Sequence, residues 1–118
     1  MKIVIAPDSF KDSLSAKEVC AAIELGMRTQ LPDTCFEQIP LGDGGEGTLD
    51  AIVAASGAQL RTATVQDPLG RQITARFGWI EQNRTAIIEM AEASGLQRLA
   101  TAERNPDHTS SFGTGELI

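Results

Sequence analysis

Apolar positions open the chain in one tight block. Ile3, Val4 and Ile5, with Ala6 behind them, are ended by Pro7, the pattern of a short buried strand over residues 2–6. A polar loop, 8–13, follows, and the spacing then becomes helical. Ala16, Val19, Cys20, Ile23 and Met27 fall on one face. Ser15 and Glu18 stand three apart before that face, the spacing of a capping box. Pro32 closes the segment, and residues 36–39 predict a second strand ending at Pro40. Four glycines then fall in the eight residues 41–48, leading into an apolar helical run over 49–55 that stops at Ser56-Gly57. The order strand, helix, strand, Gly-rich loop, helix predicts an α/β layer on a parallel sheet, Rossmann- or flavodoxin-like.

Beyond that point the period changes to two. Residues 59–66 alternate, Asp67-Pro68-Leu69-Gly70 is a turn, and 72–80 alternate again, with Ile73, Ala75, Phe77 and Trp79 on one side. Residues 81–83 suggest another turn and 85–90 a third strand. Short turns between strands predict antiparallel hairpins. The reading therefore places a boundary, or the start of an inserted subdomain, near residues 57–59, with 1–58 the first part of an α/β domain and 59–118 the start of a second α/β domain or subdomain with antiparallel hairpins. A polar connection through 105–107 leads to a glycine-containing segment that begins a helix near residue 118. Leu117 and Ile118 fall where that helix has barely begun, a place where a natural terminus is not expected.

The 118 residues have ordinary globular composition, with 42% hydrophobic and 22% charged residues and a formal net charge of −6. That balance argues against a nucleic-acid surface or a basic membrane face. It leaves room for a small anion held by local donors. With no secretion signal and no apolar run of membrane-spanning length, a cytoplasmic location is expected. Cys20 and Cys35 lack CxxC spacing and are expected to be reduced, buried thiols. His108 belongs to a polar loop. Ser9, Asp43 and His108 can be combined on paper as a nucleophile set, but no nucleophile elbow accompanies them.

Two glycine-containing segments carry candidate chemistry. In the first, Gly44, Gly45 and Gly47 free the backbone to approach a ligand, and Thr48 leads into a helix start with unpaired N–H groups. Asp43 and Glu46 repel phosphate, but suit Mg²⁺ or a hydroxylated substrate. A tight turn with an acidic helix start explains the same residues. In the second, Ser110, Gly113, Thr114 and Gly115 have the same anion-site logic, with ordinary helix capping as the alternative. Asp8, Ser9, Lys11 and Ser13 lie in the loop after the first strand, where open α/β sheets bind ligands. Lys11 is either a point charge for phosphate or carboxylate or a solvated loop lysine. Glu89 and Glu92 are either paired site carboxylates or solvated residues before the Ser94-Gly95 turn. Neither a Walker A loop nor a GxGxxG fingerprint is present.

Five stretches, in order, resemble the bacterial glycerate kinases of type I. They are residues 3–15 (IVIAPDSFKDSLS), 43–48 (DGGEGT), 67–70 (DPLG), 89–96 (EMAEASGL) and 109–118 (TSSFGTGELI). The resemblance implies an enzyme, a phosphotransferase with an alcohol acceptor. It uses ATP and Mg²⁺ to convert D-glycerate to phosphoglycerate, with 2-phosphoglycerate favoured. It implies two α/β domains with the site between them, and small-molecule partners only. On this reading Lys11, Asp43 and Glu46 are the candidate catalytic residues, with Asp43 or Glu46 the candidate metal contact. The substrate- or phosphate-binding candidates are Asp8, Ser9, Ser13, Gly44, Gly45, Gly47, Thr48, Glu89, Ser110, Gly113, Thr114 and Gly115. The family continues well past residue 118 into a further Gly-rich segment, so these residues are expected to be inactive alone. The competing expectation is a non-catalytic anion- or nucleotide-binding module, or a truncated remnant.

Overall fold

A computed structural model describes residues 1–11 and 13–118. Asp12, part of the opening motif, lies outside the described residues. The chain forms two compact units, Met1–Asp43 and Gly44–Ile118. The helix over 48–56 packs on a strand of the second unit.

In the first unit β1 (Lys2–Ile5) pairs in parallel with β2 (Cys35–Gln38), and α1 (Ala16–Arg28) connects them. Ser15 caps α1 as its spacing foretold. Its hydroxyl accepts the Glu18 N–H at 3.3 Å, and the Glu18 carboxylate accepts the Ser15 N–H at 2.8 Å. Val19 and Cys20 bury against the sheet, and the Cys20 thiol donates to the Ile5 carbonyl at 3.6 Å. The two faces of this sheet differ. Phe36 lies under the Arg28 guanidinium and Gln38 donates to Glu24, both on the α1 side. Residues one position out of phase point the other way. Val4 is accordingly 52% exposed, and Cys35 is exposed rather than buried. Lys2 and Glu37 pair on that open face.

In the second unit α2 (Thr48–Ser56) is followed by β3 (Gln59–Gln66), β4 (Gln72–Ile80) and β5 (Thr85–Ile87), an antiparallel sheet in that order. Gln66 sits opposite Gln72, so the predicted turn closes the first hairpin. Gly70 takes φ 80°, and the buried Asp67 carboxylate accepts the N–H groups of Leu69 and Arg71. The third strand stops at Ile87 instead of running to residue 90. Glu89 there becomes the N-cap of a short helix, α3 (Met90–Ser94). Met, Ala and Glu favour a helix, and the apolar run had masked that preference. The polar connection is a series of 3₁₀ turns, and α4 (Phe112–Leu117) follows. Val65, Ala75 and Ala93 form the core, with Ala63, Ile73 and Leu117 around it.

Candidate functional site

In the first unit the loop after β1 gathers Asp8, Ser9, Lys11 and Ser13. The Leu41 N–H donates to the Pro7 carbonyl at 3.0 Å, which ties the chain leaving β2 to the chain leaving β1. These are the carboxyl ends of parallel strands, where open α/β sheets place ligands. The Asp8 carboxylate accepts the Ser9 N–H at 2.6 Å, and the Ser13 N–H donates to the Phe10 carbonyl at 2.9 Å. Lys11 is exposed. Asp43, also exposed, ends this unit.

In the second unit the glycine-rich segment turns into α2 through two left-handed residues, Gly44 at φ 99° and Gly47 at φ 91°. Side chains other than glycine rarely adopt that conformation. The Thr48 hydroxyl accepts the Gly44 N–H at 3.0 Å and closes the turn. The start of α2 is occupied. Glu89, only 5% exposed, accepts the Gly47 N–H at 3.3 Å and the Leu49 N–H at 2.7 Å. Burial pushes its carboxyl above the usual glutamate range, and the two N–H donors pull in the opposite direction without cancelling it. The nearby charges of Glu92 and Asp50 add to the rise. Glu46 is exposed on the same turn.

Glu92 is 6% exposed, so it too is not a solvated residue. Its carboxylate accepts Nε and Nη2 of Arg76 at 2.9 and 2.5 Å, the Arg76 backbone N–H at 3.1 Å, and Nη2 of Arg98 at 3.3 Å. Burial alone would raise this carboxyl, but the Arg76 hydrogen bonds outweigh it and hold it below the usual range. Arg76 extends on to Asp50 of α2 at 3.0 and 3.2 Å. Glu89 and Glu92 therefore do not share a proton as a carboxylate pair. One faces backbone N–H groups, and the other faces two guanidinium groups. Arg76, Asp50 and Arg98 were not singled out from the sequence. Arg76 meets Glu92 and Asp50 across 16 and 26 residues of chain, and no local motif marks Arg76, Asp50 or Arg98.

The second glycine-containing segment is tied to the hairpin and to α3. Ser110 donates its N–H to the Pro68 carbonyl at 2.9 Å, and its hydroxyl accepts the Phe112 N–H at 3.0 Å. Gly113 lies against Gln66, whose carbonyl carbon stands 2.8 Å from where a Cβ would be. Thr114 shares a hydrogen bond with the Ser94 hydroxyl at 2.7 Å and donates to the Met90 carbonyl at 3.4 Å. Gly115 is exposed beside Glu116, which accepts the Gln66 N–H at 2.7 Å. A surface hollow of about 490 Å³ is lined by Ser110, Ser111, Phe112, Gly115 and Glu116. Thus α3 joins both glycine-containing segments, Glu89 holding the first and Met90 and Ser94 the second. Among the described residues no three His, Cys, Asp or Glu side chains group as metal ligands. No helix among them is long and apolar enough to cross a membrane.

A parallel strand pair with polar loops at its carboxyl ends in one unit, and an antiparallel sheet with a braced glycine turn in the other, define a mixed α/β class. Comparison with known proteins narrows it. A model of the glycerate kinase family matches residues 3–118. Glycerate 2-kinase of Escherichia coli (strain K12) is 52% identical over 118 residues, all of this chain and 31% of its own length. Glycerate kinase of Bacillus subtilis (strain 168) is 48% identical with the same coverage. A crystal structure from Salmonella typhimurium LT2, named for glycerate kinase 2, superposes with a TM-score of 0.73 at 52% identity, over all of this chain and 32% of that one. The chain belongs to the glycerate kinase family, and it spans about a third of the length of these relatives.

Proposed function

We propose that this chain supplies part of an enzyme that transfers the γ-phosphoryl group of ATP to a hydroxyl of D-glycerate, giving phosphoglycerate, with 2-phosphoglycerate favoured. One observation carries the reading. The family match runs through the whole chain, and relatives named glycerate kinase retain about half of its residues. Phosphoryl transfer needs positioning and charge neutralisation more than covalent chemistry. Lys11 suits a clamp on phosphate or on the glycerate carboxylate. The exposed carboxylates of Asp43 and Glu46 suit hydrogen bonds from substrate hydroxyls. Among the described residues they do not belong to a metal-binding group by themselves. Mg²⁺ arriving on the nucleotide phosphates needs only one or two protein carboxylates, and either residue fits that need. A cytoplasmic site of action agrees with such substrates.

The test is ADP release with ATP, Mg²⁺ and D-glycerate, run on the full-length gene product and on these 118 residues side by side. Release that depends on glycerate is expected from the full-length product and not from the 118 residues. Lys11→Ala in the full-length product is expected to lower kcat/KM roughly a hundredfold, the scale for removing one charge-stabilising donor. Absence of glycerate-dependent release from the full-length product overturns the assignment. Turnover by the 118 residues alone overturns the view that they hold only part of the site.

A further inference from the structure

We propose that Glu89 is a positioning residue, whose buried carboxylate takes the place of a bound anion at the start of α2 and so fixes the glycine turn that presents Glu46. An open helix start attracts phosphate because its first N–H groups lack partners. Here Glu89 accepts two of them, from Gly47 and Leu49. The carboxylate is nine-tenths or more buried and reaches α2 from the other side of the sheet sequence, 40 residues along the chain from Leu49. A second tie lies one turn further on, where Arg76 bridges Asp50 of α2 to Glu92 of α3. Glu89 and Glu92 both belong to the α3 segment, so α2 is held to one short helix at two points. With Gly47 and Leu49 engaged, and the Thr48 N–H donating to the Gly45 carbonyl at 3.3 Å, three of the four N–H groups at this helix start already have acceptors. The turn is left to offer its acidic side chain to a hydroxylated ligand. This rests on the glycerate kinase reading for the identity of that ligand, but the tie itself does not.

The experiment uses the full-length gene product and has two arms. Hydrogen exchange read at single amides is measured at Gly47 and Leu49 in the wild type and in Glu89→Gln. Steady-state kinetics are measured on the same two proteins with D-glycerate and ATP varied separately. Slow exchange at both amides in the wild type is expected, with faster exchange in Glu89→Gln. The kinetic expectation is a rise in the KM for D-glycerate and a fall in kcat/KM of about tenfold to a hundredfold, the scale of a misplaced contact, with the KM for ATP unchanged. Fast exchange at these amides in the wild type overturns the proposal, and that reading needs no variant to fold. A fall in kcat with both KM values unchanged also overturns it, since that is what loss of folded enzyme produces. A raised KM for ATP overturns it by giving this helix start to the nucleotide. If the wild type does not phosphorylate glycerate, the function fails while the exchange arm still decides the tie. Glu89→Asp, whose shorter side chain cannot span both N–H groups, replaces Glu89→Gln if that variant does not fold, with the same outcomes.

Discussion

Single residues in this chain hold their neighbours by contacts that can be removed one at a time. Gly113 rests against the Gln66 backbone, where a methyl group meets the carbonyl carbon 2.8 Å away. Gly113→Ala is therefore expected to push α4 off β3 and to cost roughly 1–3 kcal/mol, the scale of overpacking. Chemical denaturation checks it, and an unchanged midpoint would contradict the contact. Glu92 has a pH signature. Its folded carboxyl lies below the usual range, so its contribution is present above the ordinary glutamate value and disappears as pH falls through the lower folded value. Glu92→Gln is expected to be less stable than the wild type at neutral pH by roughly 2 kcal/mol, with the gap closing below about pH 4. A gap that stays constant with pH would show that Arg76 and Arg98 do not need the charge. Glu89 has the opposite sign. Its carboxyl is raised, so its contribution is greatest below the ordinary value and is lost as pH rises through the folded one.

Elements differed in how plainly the sequence announced them. The α1 start needed only Ser15 and Glu18, because a capping box is a contact between residues three apart. The first hairpin needed only its alternation and its turn. That turn depends on Asp67, 3% exposed, which accepts two backbone N–H groups and pairs with Arg71. Asp67→Ala is expected to cost roughly 1–3 kcal/mol, since two N–H groups lose their acceptor, and thermal unfolding of the variant measures it. Wild-type stability would mean that the turn forms without its side-chain bonds. The end of β5 was harder to see. Glu89 leaves the strand for α2, and that attraction lies outside any local window. The same reason hid the open face of the parallel pair. Periodicity shows that Val4 and Cys35 share a face, but not whether anything covers it. Asp43 to Thr48 read correctly as a turn into a helix, whereas the occupant of that helix start came only from the structure.

At the scale of the whole molecule the two units carry different parts of the candidate chemistry. The loop after β1 holds Asp8, Ser9, Lys11 and Ser13, and the second unit holds the glycine turn with its Glu89 brace. Family membership places these residues in proteins about three times as long. The proposed phosphoryl transfer is therefore a property to be measured on the full-length gene product. The most direct measurement is phosphorus NMR of that product incubated with ATP, Mg²⁺ and D-glycerate. The account predicts that the ATP signals decline while a phosphomonoester signal matching 2-phosphoglycerate grows. A signal matching 3-phosphoglycerate instead would contradict the favoured hydroxyl, and the absence of any glycerate-dependent phosphomonoester would contradict the assignment of function itself.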